Sequence, residues 1–259
     1  MKGLKDILRY IFVEIRRYII LGMMIILMLF FLSFAEKSVS DSKCGSVTIK
    51  IYPEGTIRFV NRQDIKDMLM EVNRNNLIGQ KLSDIKFFEI EKHLNNNNYI
   101  KESEIYTDLS GRVFVDIYQK EPILRILSVY GANYYLCKDG ETIPYSPVFT
   151  PKVLVASGYT EASNKYPDIE KKLLMLAEYI SKDDFLNVLI GQIYVKLNRQ
   201  VILIPKVENI LVEFGDISDM ETKFAKLKVF YKHVLPSQGW NKYNKVDIRF
   251  NNQIILNKR

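Results

Sequence analysis

Tyr18 to Ala35 reads YIILGMMIILMLFFLSFA, eighteen residues without a charge. A run that long and that apolar is not one face of a soluble helix; its length is that of a membrane span. As a helix rising 1.5 Å per residue it covers roughly 27 Å, close to the hydrocarbon thickness, and a helix satisfies its own backbone groups where no water is at hand. The stretch divides the 259-residue chain into a tail at 1–17, the span at 18–35 and everything beyond.

Orientation follows from the flanks. Lys2, Lys5, Arg9, Arg16 and Arg17 precede the span, whereas only Lys37 and Lys43 lie close behind it, so the N-terminus is expected in the cytoplasm and the remainder across the membrane. A cleaved signal peptide is the rival reading, because Ser33 and Ala35 form a small-x-small pair before Glu36. Signal h-regions run ~7–15 residues. This run is longer and ends in bulky Leu29, Phe30, Phe31 and Leu32, which favours a retained anchor.

Composition bounds the rest. At 47% hydrophobic and 26% charged residues, the part beyond the span has enough apolar material for one or two ordinary cores. Of the net charge of +7, five cations and two carboxylates place +3 in residues 1–35, and +4 is spread over 44–259. That is a mildly basic surface with no stripe for nucleic acid; the N-terminal cations suit anionic lipid headgroups. Cys44 and Cys137 make no disulfide framework, and both read as free thiols.

Residues 36–43, EKSVSDSK, carry two charges of each sign and no apolar cluster, the pattern of a linker. Val47, Ile49 and Ile51 then alternate with Thr48, Lys50 and Tyr52 until Pro53, Glu54 and Gly55 break the strand. Asn61 is placed to cap a helix with Ile65, Met68, Leu69 and Val72 on one face. Ser83 is the expected N-cap of a second helix carrying Ile85, Phe88, Ile90 and Leu94 up to the asparagines at 95–98. Tyr99 to Thr107 and Arg112 to Gln119 form a hairpin turned by Asp108, Leu109, Ser110 and Gly111. The order is βααββ, with Leu69, Phe88, Leu94, Val113 and Val115 expected in its core.

These residues carry a resemblance. Phe59-Val60-Asn61, Gly79, Leu82, Ile90-Glu91, Leu94, Tyr99-Ile100-Lys101, Asp108-Leu109, Gly111 and Glu121-Pro122-Ile123 resemble the POTRA domain of the FtsQ/DivIB family of bacterial division proteins. Asp139-Gly140, the run TPKVLVASG from Thr150 to Gly158, and Val246-Asp247-Ile248-Arg249-Phe250 are similar to landmarks of that family's second, β-rich domain. Cys137 departs from the pattern, where the family often has an acidic residue before the Asp-Gly turn. The resemblance implies a single-pass protein of the cell inner membrane with periplasmic domains, a POTRA domain at 44–122 and a β domain at 123–259. It further implies bitopic coiled-coil partners of the FtsB and FtsL type and a role in recruiting them for septal cell-wall synthesis.

Residues 123–259 independently read as mostly sheet. Ile123 to Val129, Tyr134 to Cys137, Val153 to Ala156, Ile193 to Leu197, Val201 to Ile204, Ile210 to Phe214 and Val246 to Phe250 are strand candidates. One helix starts near Pro167 and shares Ile169, Leu173, Leu176, Ala177 and Ile180 on a face. Another opens with Ser218 and Glu221 in capping-box spacing and buries Phe224, Leu227, Tyr231 and Val234, leaving Lys223, Lys226, Lys228 and Lys232 to solvent. The fold class expected is α+β: an N-terminal transmembrane helix, a βααββ POTRA domain, then a mostly antiparallel β domain with flanking helices.

Catalytic chemistry is not visible. The two histidines lie far apart, near no cluster with metal-ligand spacing, and no nucleophile elbow, phosphate loop or dinucleotide fingerprint occurs. Ala156-Ser157-Gly158 reads as a strand-end turn and Asp183-Asp184 as a helix cap. The reading is a non-enzymatic scaffold without cofactor, metal, nucleic acid or small-molecule substrate; the alternative is a POTRA-containing polypeptide-transport or outer-membrane assembly factor. The last strand, Lys245 to Phe250 with its continuation through Gln253 to Leu256, is expected at a sheet edge, where a partner segment adds as a further strand. Asp247, Ile248, Arg249, Phe250, Gln253 and Ile254 are the expected partner-binding residues, with Arg249 and Phe250 as anchors.

Overall fold

The computed structural model describes residues 18–30, 42–55, 57–162, 165–207 and 210–259. Residues 18–30 form a helix, α1, whose side chains are exposed almost throughout. The rest of the expected span at 31–35, the tail at 1–17 and all but the last two residues of the expected linker at 36–43 lie outside the described residues. Among the described residues no helix is long and apolar enough to cross a membrane.

Beyond α1 the elements run β1 (Ser46–Tyr52), α2 (Arg62–Asn73), α3 (Phe87–Asn95), β2 (Ile100–Thr107) and β3 (Arg112–Gln119). This is the expected βααββ order, and the strands form a sheet ordered β1-β3-β2 with β1 parallel to β3. Alternation puts Val113, Val115 and Ile117 in the core, beside Ile49 of β1. Asn61 caps α2 as expected: its side chain accepts from Gln63 N and Asp64 N, while Asp64 accepts from Asn61 N at 2.7 Å. At the hairpin, Asp108 Oδ1 accepts from the amides of Ser110 and Arg112 and Oδ2 from Arg112 Nε at 2.6 Å. Gly111 follows with φ +79, and a Cβ there would stand 2.5 Å from the Lys43 carbonyl oxygen, so only glycine fits.

The second helix departs from its expected register. Ser83 lies in a 3₁₀ turn, Leu82–Asp84, and donates to its neighbour Asp84; α3 starts only at Phe87, after Lys86, without a side-chain cap. Ile90 and Leu94 are its buried residues. At about 100° per residue, Phe88 stands on the far side from Ile90, and it is 76% exposed rather than in the core. Leu69, Leu94, Val113 and Val115 are buried as expected.

The remaining elements are β4 (Pro122–Ser128), β5 (Asn133–Cys137), β6 (Thr142–Pro144), β7 (Leu154–Gly158), α4 (Ile169–Ser181), α5 (Asp184–Leu189), β8 (Ile190–Val195), β9 (Val201–Pro205), β10 (Leu211–Gly215), α6 (Met220–Val229), α7 (Leu235–Gln238), β11 (Tyr243–Asp247) and β12 (Ile255–Lys258). They build one nine-stranded sheet ordered β12-β11-β10-β9-β8-β7-β4-β5-β6. Five neighbouring pairs are antiparallel, but β4–β7, β7–β8 and β10–β11 are parallel, so the sheet is mixed. Its core joins Leu124, Ile193, Leu203, Val212 and Val246 of the strands to Leu173, Leu176, Phe224 and Leu227 of the helices.

The described residues gather into two compact units, and two short segments inside the expected first domain, Pro53–Val60 and Asn98–Lys101, pack with the second. Gln119 accounts for the first of them. Its Oε1 accepts from the amides of Phe59 and Val60 at 3.0 and 3.1 Å, and its Nε2 donates to the Ile57 carbonyl at 3.0 Å. Phe59 stacks on Tyr99 at 5.0 Å and meets Tyr135 and Phe149 edge-on, around buried Cys137 and Ile143. Both cysteines are free and buried.

The α6 end also corrects the expectation. Ser218 donates to Asp216 Oδ2 at 2.7 Å instead of closing a box with Glu221, and Asp219 enters the helix with φ 46. A π-helical turn at Phe230–Val234 continues α6 and lets adjacent Phe230 and Tyr231 both be buried. Three of the four lysines assigned to solvent are engaged. Buried Lys223 donates to Asp216, Lys228 pairs with Asp183, and Lys226 reaches the loop after β11.

Candidate partner-binding edge

The end of the chain is not a single edge strand. β11 stops at Asp247 and lies inside the sheet, parallel to β10 on one side and antiparallel to β12 on the other. The edge is β12, which pairs Ile255 with Asp247 and Leu256 with Val246. Among the described residues no strand pairs with its outer side.

Asp247 is why the expected strand, Val246 to Phe250, ends early. Its Oδ1 accepts from the backbone amide of Arg249 at 3.1 Å, a local bond that competes with continuing the ladder. The same carboxylate takes Arg249 Nε on Oδ1 at 2.9 Å and Nη2 on Oδ2 at 2.6 Å, the two-pronged geometry that only arginine offers. Burial pushes the Asp247 carboxyl up, but the hydrogen bonds and charge of Arg249 outweigh it and hold the group below the usual carboxylate range. Arg249 also sends Nη1 toward Gln200 Oε1 at 3.4 Å.

Gly215 makes room for this arrangement. It has φ +80, and a Cβ there would stand 2.8 Å from Arg249 Cγ, so the arginine stem crosses directly over the end of β10. From α6, Lys226 Nζ donates to the carbonyls of Ile248 and Phe250, each at 2.6 Å. Arg249 held to Asp247 and two loop carbonyls held by Lys226 together fix the corner where it leaves β11.

The six expected residues therefore fall into different environments. Ile248 is 0% exposed and belongs to the core, Asp247 is buried under Arg249, and Ile254 packs partly against the core. Phe250, 43% exposed, lies beside the Arg249 guanidinium at 5.3 Å, and Gln253 is solvent-facing. Arg249, Phe250 and Gln253 thus share the accessible corner. Sequence reasoning missed the part that Lys226 and Gly215 play at this corner; Asn251-Asn252, a turn pair, is the signal that the last strand is broken in two.

Toward the other end of these strands lies a cavity of about 580 Å³, lined by Ile204, Pro205, Ile210, Leu211, Asn244, Lys245 and Asn257. It borders the edge strand at Asn257 and is partly apolar, through Ile204, Pro205, Ile210 and Leu211. Glu213, buried next to it, pairs with Lys196 at 2.8 Å and Lys245 at 3.5 Å. No group of three or more His, Cys, Asp and Glu side chains among the described residues has the arrangement to hold a metal ion.

The sequence model of the family described as FtsQ/DivIB, C-terminal related, matches residues 121–256, and that of the POTRA-like domain matches residues 42–118. No curated protein matches the chain.

Proposed function

The chain belongs to the FtsQ/DivIB family, and from that premise we propose that it is a bitopic scaffold of the division machinery that recruits small FtsB- and FtsL-type membrane proteins. The FtsQ/DivIB family is one of non-enzymatic division proteins, so the work is binding. The observation that carries the reading is the family match over residues 121–256; the open outer side of β12 supports placing the partner there. In this reading a partner segment adds to β12 through backbone hydrogen bonds, while Phe250, Ile255 and the adjoining cavity select its side chains. Tyr18–Ala35 anchors the protein in the cell inner membrane, with the N-terminus cytoplasmic and the two folded units periplasmic.

Two measurements test it. Phe250→Ala combined with Ile255→Ala, both exposed positions, should leave thermal unfolding of the full chain unchanged yet weaken capture of an FtsB-type partner about tenfold or more; unchanged affinity would remove β12 as the recruiting edge. A reporter active only in the cytoplasm, fused after Arg259, should be silent, and its activity would reverse the topology.

A further inference from the structure

The sheet of the first unit has a second face. On β3, Val113, Val115 and Ile117 turn to the core, so Phe114, Asp116 and Tyr118 turn the other way. The parallel register sets Thr48, Lys50 and Tyr52 beside them, and on β2 Glu102, Glu104 and Tyr106 alternate with buried Ser103. Four rings share this face in two stacks: Tyr52 with Tyr118 at 5.3 Å, and Tyr106 with Phe114 at 5.1 Å. None of the four is fully buried, and Tyr106 is exposed.

Asp116 sits among the rings and is 8% exposed. Its Oδ2 accepts from the Tyr106 hydroxyl at 3.1 Å, but its Oδ1 is buried and accepts from no group. Lys50, its register partner on β1, points to solvent and forms no ion pair with it. Glu102 and Glu104 add two carboxylates, and these are exposed. Their charge is felt across the rings: the Tyr118 phenol is pushed up, first by Glu104, then by burial and Asp116. At the end of the face, Arg112 is held by Asp108 and lies over the Phe114 ring at 5.8 Å.

We propose that this aromatic, acidic face docks a basic peptide segment of a partner protein, an arginine or lysine lying over the rings with its donors aimed at Glu102 and Glu104. Ring faces attract cations, a guanidinium most readily, and the attraction grows as water is excluded. The exposed Glu102 and Glu104 carboxylates offer that cation charge-assisted hydrogen bonds, and the buried Asp116 adds its negative charge. An anionic segment would be repelled by three carboxylates, and a purely apolar one would strip water from Glu102 and Glu104 without replacing their hydrogen bonds. The chain as a whole carries +7, so its overall field repels a basic peptide and any binding must come from a local patch. The inference stands independently of the β12 edge, which lies in the other unit.

The test uses the full chain and a fluorescein-labelled, arginine-rich Gly/Ser peptide, with the glutamate version of the same peptide as control, read by fluorescence anisotropy. The expected result is saturable binding of the arginine peptide that weakens with added salt, and none of the glutamate peptide. Asp116→Asn, Glu104→Gln and Tyr106→Leu should each weaken it about threefold or more. If Asp116→Asn fails to fold, Glu104→Gln decides, since Glu104 is exposed. Failure of the wild-type chain to bind, equal binding of both peptides, or unchanged affinity in folded Glu104→Gln and Tyr106→Leu would overturn the proposal.

Discussion

Arg249 grips Asp247, two residues before it, by two side-chain hydrogen bonds of 2.9 and 2.6 Å and a backbone one of 3.1 Å. The pair ends β11 and starts the corner that leads to β12. Arg249→Gln leaves a buried carboxylate with only the backbone donor. Because the arginine side chain is about a third exposed, solvent partly compensates, and the expected loss is about 1–3 kcal/mol. The pH dependence follows the depressed Asp247 carboxyl. Its contribution is present above the unfolded value near 3.9 and is lost as pH falls through the folded value. Amide exchange of residues 248–254 should therefore quicken in acid before the rest of the sheet opens; equal protection in the variant would make the pair decorative.

In the first unit, Leu94 and Phe88 of α3 separate what is core from what is not. Leu94 is fully buried, so Leu94→Ala should cost about 2–5 kcal/mol in denaturant unfolding. Phe88, most of its surface in water, should tolerate serine within about 0.5 kcal/mol. A large loss at Phe88 would mean that the face of α3 is misassigned.

The βααββ order, Asn61 as a cap and the hairpin at Gly111 were legible because each is decided by residues close in sequence. Phe88 was misplaced because the helix start was read at Ser83; a 3₁₀ turn intervened, and a helical face depends on where its first turn begins. The lysines of α6 looked solvated for a related reason: helical spacing tells which residues share a side, but not that Asp216, Asp183 and two loop carbonyls await them. β6 and β12, three and four residues long, are too short for alternation to announce them. The parallel pairs of the large sheet join segments far apart in the chain, which periodicity does not report. At the candidate edge, the local sequence singled out Arg249 and Phe250, which lie at the corner between β11 and β12, while the identity of the edge strand depended on pairing.

Lys226 offers a test of how the corner is held. Its ammonium donates to two backbone carbonyls, and burial is the first cause that draws its pKa down. Lys226→Met keeps much of the stem's apolar packing but leaves both carbonyls without this donor. The expected loss is about 1–3 kcal/mol, together with faster exchange of the amides at 249–252 and little change in β4–β9. A uniform loss of protection across the sheet would show that Lys226 supports the whole unit and not the corner.

Cys137 closes β5 beneath the Phe59 cluster, and burial, followed by the charge of Asp139, pushes its thiol up to about 12. Two consequences follow from one cause, the cost of placing a thiolate among apolar rings. In the native chain the thiol should resist alkylation at mildly alkaline pH, since the reactive form is the thiolate; Cys44, also raised by burial, should behave alike. In the unfolded chain the thiol ionises near 8.5. The native advantage is thus fully present below about 8.5 and declines as pH rises from there toward the folded value, by up to about 1.4 kcal/mol per pH unit. Cys137→Ala should have a lower stability at neutral pH but a shallower alkaline decline, and the difference in slope between the two proteins isolates this thiol from the tyrosines and lysines that titrate in the same range. Equal slopes, or rapid alkylation of Cys137 in the folded chain, would show that its surroundings open to water far more often than the packing of Phe59, Tyr135 and Ile143 implies.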